Sequence, residues 1–168
     1  ADSLTRFREI VGGAFETIIG RRLDQVGPVK FRKIEEVDRG GYRLGKFLLC
    51  AEKHGEEVPV VSLSRTRAEA HKSVVLWING QGKSALMDSK GRFVPGIRRL
   101  LDAAKVVLSA DLIYQGEFLS DGKPLTKAPA STNTREYAGY TFGYNHPLFA
   151  HRVHDILTLI SFARSDEL

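Results

Sequence analysis

Two short segments hold most of the side chains that could do chemistry. The first is Asn79-Gly80-Gln81-Gly82-Lys83-Ser84, which follows the apolar run Val74–Ile78. The second starts at Asp111, on the end of the apolar run Val106–Ala110. Gly-Lys-Ser after a strand is half of a phosphate-binding loop, with Asp111 placed as a magnesium partner. That loop needs a further Gly, four residues removed from the Gly-Lys pair, so that backbone N–H groups can wrap the phosphate. Trp77 stands there instead, and the nucleotide reading fails on it. Ser84 could be the nucleophile of a strand-turn-helix elbow, with Asp111 and one of His146, His151 or His154 following in the order Ser, Asp, His. The elbow is G-x-S-x-G because small residues relieve crowding at a strained turn. Here Gly82-Lys83-Ser84-Ala85-Leu86 puts Leu at the second Gly, so Ser84, Asp111 and His154 stand only as an alternative triad.

His151 and His154 lie three residues apart, with Asp155 beside them. One helical turn could aim two imidazoles at a metal. No Cys or Glu cluster completes that set in the sequence. The pair therefore reads as solvated or hydrogen-bonded helix histidines, and neither metal nor other cofactor is expected. The remaining chemistry belongs to Gly80, Gln81 and Gly82. Acyl transfer needs backbone N–H groups aimed at the oxyanion that forms when a carbonyl is attacked, and glycines leave such amides uncovered. A Gly-rich turn at the carboxyl end of a buried strand suits that role; an ordinary βα turn is the alternative.

The surrounding elements must hold these turns. Val74–Ile78 and Val106–Ala110 read as buried parallel strands joined by a right-handed crossover. Ile97, Leu100, Leu101 and Ala104 share one helical face of that crossover, and Pro95 stands near its start. Upstream, Leu4, Phe7, Ile10, Val11, Phe15 and Ile18 keep helical spacing, although Gly12-Gly13 interrupts the pattern at roughly 1 kcal/mol per Gly. Val29–Val37 and Tyr42–Glu52, separated by Asp38-Arg39-Gly40-Gly41, read as a hairpin, and Val58–Leu63 as a third strand. Pro59 places this third strand at an edge or makes it start late. After the polar stretch Gly116–Asn145, Pro147 opens a helix with Phe149, Val153, Ile156, Leu157 and Ile160 in register. The expected fold is α/β in a single domain. It comprises a helical extension at 1–28, antiparallel strands at 29–63 and a βαβα portion at 74–163.

The 168 residues suffice for one such domain. Composition, 42% hydrophobic and 27% charged, is that of a globular chain. No run approaches the roughly 20 apolar residues that cross a membrane. The net charge of +5 is interleaved with acidic residues rather than gathered in a stripe, so neither nucleic acid nor membrane is expected as a partner. The single Cys50, in Phe47-Leu48-Leu49-Cys50-Ala51, reads as a small buried hydrophobe. A start at Ala1 fits a soluble chain exported with its leader removed as well as one trimmed by other means, and localisation stays open.

Three segments together resemble the N-terminal half of an α/β-hydrolase, in particular of bacterial acetyl-xylan-esterase-like members. They are Val74–Asp88 (VVLWINGQGKSALMD), Val106–Phe118 (VVLSADLIYQGEF) and Tyr140–Ala163 (YTFGYNHPLFAHRVHDILTLISFA). The first is similar to the family's H-G-x-G turn, whose amides form part of the oxyanion hole. The second is similar to a D-x-R-G-x-G turn, and the third to the helix before the nucleophile strand. The resemblance implies that Gln81 supplies an oxyanion amide and that Gly80 and Gly82 shape its turn. Asn79 stands where the family has His, and Ile113-Tyr114-Gln115-Gly116 departs from R-G-x-G while keeping Asp111 and Gly116. The family's nucleophile, acid and His would all follow Leu168. The implied function is the N-terminal portion of a serine carboxylic-ester hydrolase acting on acetylated carbohydrate. Such a chain would take an ester substrate and associate with a complementary C-terminal hydrolase segment or with itself. A non-catalytic hydrolase-like binding module and a small self-contained hydrolase using Ser84 are the other readings.

Overall fold

The computed structural model describes residues 2–66, 73–123, 125, 143 and 145–165. Residues 67–72 of the polar connector, and most of the Gly116–Asn145 segment, lie outside these. The chain opens with helix α1 (Asp2–Ile19). Strands β1 (Lys30–Arg39), β2 (Tyr42–Ala51) and β3 (Glu56–Arg65) follow as an antiparallel meander. Gly40 and Gly41, at φ 57° and 87°, make the two-residue turn between β1 and β2. Such a turn needs positive φ at both positions, which glycine adopts without steric cost. Strand β4 (Val74–Leu76), helix α2 (Pro95–Asp102) and strand β5 (Val106–Ala110) form the crossover, and helix α3 spans Leu148–Ala163.

All five strands lie in one sheet of order β1-β2-β3-β5-β4. β5 pairs parallel with β4 and antiparallel with β3, so it is central. That explains why every residue of Val106–Ala110 is buried. The sheet is mixed, with antiparallel strands and one parallel pair, as the periodicity predicts. Its two faces carry separate cores. Val106, Leu108 and Ala110 pack with Leu49, Val58, Leu159 and Phe162 on the α3 side. Val107 packs with Val61, Leu63, Ile97 and Leu101 on the α2 side. Alternation along β5 thus fills both layers of an α/β/α sandwich.

Four local expectations are corrected. Pro59 does not mark an edge, because β3 is paired on both sides. Its carbonyl accepts from Asp111 N–H at 3.1 Å, and N and C=O of a strand residue point the same way. The missing N–H therefore falls just past the last β3–β5 pair, Val60↔Ala110, where the ladder has already ended. Ala104 is not on the α2 face. It follows the helix at φ 53°, and Ala104 N–H and Lys105 N–H close the end onto Leu101 O and Leu100 O. Cys50 is half-buried rather than core, because Leu49 and Ala51 take the inward positions around it. On α3 the inward face is Ala150, His154, Asp155, Thr158, Leu159 and Phe162, while Phe149 is half exposed. Val153, Ile156, Leu157 and Ile160 are only half-buried.

Helix α1 forms despite Gly12-Gly13, yet none of its residues is buried. Phe7 is 58% exposed and Ile10 62%. Its apolar stripe therefore makes little use of the rest of the chain.

Candidate active site

The two loops that leave the carboxyl ends of β4 and β5 are tied into one unit by Asp111 and Gln115. Asp111 is 3% exposed. Its Oδ1 accepts from Lys83 N–H at 2.8 Å and its Oδ2 from Glu117 N–H at 3.0 Å. Lys83 Nζ lies 3.2 Å from Oδ2 and also pairs with Glu117. Gly82 and Gly116 flank this carboxylate at φ 66° and 43°. A Cβ at either would come within 2.2 Å of an Asp111 oxygen, so both positions require glycine for conformation and for space. Gln115, 5% exposed, accepts from Leu112 N–H at 3.1 Å. Its amide donates to Gly80 O at 3.0 Å and reaches Asn79 O at 3.3 Å.

This clamp presents Gly80 and Gln81 to a small cavity of about 130 Å³, also lined by Tyr114, Gln115, Gly116, Leu125 and Arg152. Tyr114 holds φ 60°, a conformation rare outside glycine. Arg152, from α3, donates from Nε to Ile113 O at 3.1 Å. Asp155 accepts Ile113 N–H at 2.8 Å. Burial pushes the Asp155 carboxyl up to about 6, with the hydrogen bond from Ile113 opposing that rise. The first turns of α3 thus hold the β5 loop in place. A larger cavity, about 730 Å³, lies elsewhere, between α1 and α3, lined by Phe15, Ile19, Leu23 and Ser161 among others. It brings no perturbed titratable group together with a built loop.

Gln81 N–H does not stand open. It donates to Asn79 Oδ1 at 2.9 Å, a local Asx turn. A His at position 79 would not close this turn in the same way, so the departure at Asn79 has a direct geometric consequence. Ser84 is exposed, and its hydroxyl donates back to Gln81 O at 2.8 Å. Both carboxylate oxygens of Asp111 are taken by the clamp. His154 Nε2 bonds Ile19 O at 2.7 Å. Ser84, Asp111 and His154 therefore each have other partners, and no hydrogen bond links any two of them.

A second group of titratable residues was only half visible in the sequence. The rings of His146, His151 and His154 lie 5.3 to 6.0 Å apart, edge to face. Glu56, at the start of β3, lies 3.7 Å from His154 Nδ1 and pairs with Arg21 at 2.6 Å. Burial pushes the His154 imidazole below its ordinary value.

No protein-family model and no curated protein sequence matches this chain. Its fold is similar to a solved structure from Bacteroides fragilis NCTC 9343 that carries the provisional designation acetyl xylan esterase. The TM-score is 0.68 at 14% identity, and the likeness covers 94% of this chain. It spans 42% of that chain, less than half of its length. The shared fold is a mixed α/β one, with the antiparallel meander and the β4-α2-β5 crossover in a single sheet. Among the described residues, no helix is long and apolar enough to cross a membrane.

Proposed function

We infer that this chain is the N-terminal portion of a serine carboxylic-ester hydrolase, and that it contributes the oxyanion-stabilising turn but not the nucleophile. The observation that carries this reading is the clamp. Asp111 and Gln115 fix Gly80-Gln81-Gly82 against the β5 loop beside a cavity, at the sheet edge where open α/β folds place ligands. Pre-set amides of this kind stabilise the charge that develops on a carbonyl oxygen under attack. The sequence has no G-x-S-x-G, so the nucleophile, its acid and its His would come from a segment that follows Leu168 or from a second chain. Acetylated carbohydrate is the substrate class suggested by the designation of the similar structure. A small ester, or the ester end of a larger carbohydrate, is what a cavity of about 130 Å³ accommodates.

One observation favours a second reading, a non-catalytic binding module: Asn79 Oδ1 already accepts the Gln81 N–H. Catalysis requires that carboxamide to swing away when substrate arrives. The test is hydrolysis of p-nitrophenyl acetate by this chain alone and by the chain extended through the segment encoded after Leu168. Activity appearing only in the extended form supports the esterase reading. Gln81→Pro deletes the donor, with φ shifted from −94° toward the roughly −65° that proline fixes. In the extended form it should cost about 10²- to 10³-fold in kcat. An extended chain that folds and hydrolyses no ester favours the binding module. Hydrolysis by this chain alone that disappears in Ser84→Ala favours the self-contained hydrolase.

A further inference from the structure

We propose that Glu56, His151 and His154, with His146 as the fourth donor, form a binding site for a divalent transition-metal cation of the Zn²⁺ class. Glu56 opens β3, His151 and His154 share one face of α3 at a three-residue spacing, and His146 precedes that helix. One donor atom from each of Glu56, His151 and His154 lies within 4.8 Å of the other two. The His146 ring stands 5.3 Å from His154 and 6.0 Å from His151. It is let in by Gly20, where a Cβ would come within 2.3 Å of the imidazole.

His154 supplies the independent sign of a ligand. Its side chain is 2% exposed. A carbonyl can only accept, so the 2.7 Å bond to Ile19 O puts the proton on Nε2. That leaves Nδ1 buried, with no hydrogen-bond partner. It faces Glu56 Oε1 at 3.7 Å, and two electron-pair donors at that distance gain nothing from each other unless a cation stands between them. A metal-binding imidazole commonly donates its other N–H to a carbonyl, which fixes ring and tautomer. Ile19 O does that here. Arg21 holds Glu56 through Oε2, orienting the carboxylate and leaving Oε1 turned toward the histidines. The charged neighbours are Arg21, Arg152 and Asp155, one acid against two bases, so the site depends on its own donors rather than on a favourable surrounding field.

Imidazole and carboxylate donors without sulfur suit Zn²⁺ and its first-row neighbours. Tetrahedral Zn²⁺ with bonds of about 2.0–2.2 Å separates its ligands by roughly 3.3–3.6 Å. The Glu56, His151 and His154 donors therefore have to close by about an ångström, and His146, which lies outside that trio, has to swing in further; the half-exposed His151 and the exposed His146 have the rotamer freedom to do so. Four protein donors make a closed, structural site. The cation would staple the end of α1 and the loop after it to β3 and α3, at a place separate from the Asp111 clamp. The inference is independent of the esterase reading.

The experiment strips the 168-residue chain with a chelator and titrates it with Zn²⁺ against a chromophoric competitor, following thermal unfolding alongside. One Zn²⁺ per chain, a Zn²⁺-dependent rise in Tm and the visible bands of tetrahedral Co²⁺ are expected. His151→Gln should weaken Zn²⁺ at least tenfold and leave the metal-free Tm unchanged, because His151 makes no structural hydrogen bond. Glu56→Gln should weaken it similarly, and His54→Gln, at a half-buried residue before β3 that bonds Gln25 O, should leave Zn²⁺ affinity unchanged. Binding that survives in both His151→Gln and Glu56→Gln, no binding at all, or an equal response to Mg²⁺ would overturn the proposal.

Discussion

Asp111→Ala separates a structural carboxylate from a catalytic one. In the folded chain this side chain accepts two backbone N–H groups and sits 3.2 Å from the Lys83 ammonium, which is itself only 12% exposed. Truncation strands Lys83 N–H and Glu117 N–H. Orphaned donors cost about 1–3 kcal/mol each when fully buried; these two are partly buried, so roughly 1 kcal/mol apiece is the fair figure. Loss of the charge-assisted contact to Lys83 adds about 1.5–2 kcal/mol, with Glu117 retained as a second partner for the ammonium. The sum is about 3–4 kcal/mol. For a chain of this length about 1 kcal/mol moves Tm by 2–4 °C, so a fall of roughly 6–16 °C is expected.

Thermal unfolding followed by circular dichroism reads this directly, and two companion variants sharpen it. Asp111→Asn keeps one acceptor but turns an amide toward the other N–H, so it should lie between parent and Asp111→Ala. Gly116→Ala forces a Cβ to within 2.2 Å of the same carboxylate at φ 43° and should cost as much as Asp111→Ala. An Asp111→Ala protein within about 2 °C of the parent, equivalent to less than about 1 kcal/mol, would refute the clamp. It would return Asp111 to the list of acids free to do chemistry.

Four further outcomes follow from the same geometry. Ala104→Gly should stabilise the chain by about 0.5–1 kcal/mol in urea unfolding, since Ala at φ 53° pays a steric cost that Gly does not. Phe162→Ala, which removes a ring 2% exposed and 5.7 Å from Phe31, should cost about 3–5 kcal/mol by the same measurement. Asn79→Ala should raise the hydrogen-exchange rate of the Gln81 amide, with a stability loss of about 0.5–1.5 kcal/mol; unchanged exchange would contradict the Asx turn. Phe7→Ser with Ile10→Ser, on the uncovered face of α1, should leave stability within about 0.5 kcal/mol while lowering any self-association seen by sedimentation.

The sheet was readable because its determinants are local. Val106–Ala110 is an apolar run broken only by Ser109 and bounded by Lys105 and Asp111, and Gly40-Gly41 marks a tight turn. These cues survive without any knowledge of distant contacts. The inward face of α3 was not readable in the same way. Counting apolar residues selects Phe149, Val153, Ile156, Leu157 and Ile160. The structure instead buries His154, Asp155 and Thr158 together with Ala150, Leu159 and Phe162. The first two are accommodated because Ile19 O and Ile113 N–H wait for them, and such partners lie far away along the chain.

The same limit governs the candidate sites. The glycines around Gln81 and the acid at Asp111 announce a shaped turn. Sequence alone assigns Asp111 to magnesium or to a triad, and only the packing shows its oxygens already committed to Lys83 and Glu117. His151 and His154 announce themselves by spacing. Glu56 and His146 have no sequence signal that ties them to that pair, because they arrive through the β2–β3 turn and through the room left at Gly20. A cluster whose donors come from β3, α3 and the segment before α3, and whose His154 is braced by Ile19 O at the end of α1, is held only as well as those parts are held together. No residue of α1 is buried, so a cation that fixes His154 and Glu56 would act, through Ile19 O and Arg21, where the fold has least packing of its own. That is also why the metal-free and metal-bound chains should differ most in hydrogen exchange at Ile19–Arg22, and least in β5, whose amides are already held on both sides by the sheet.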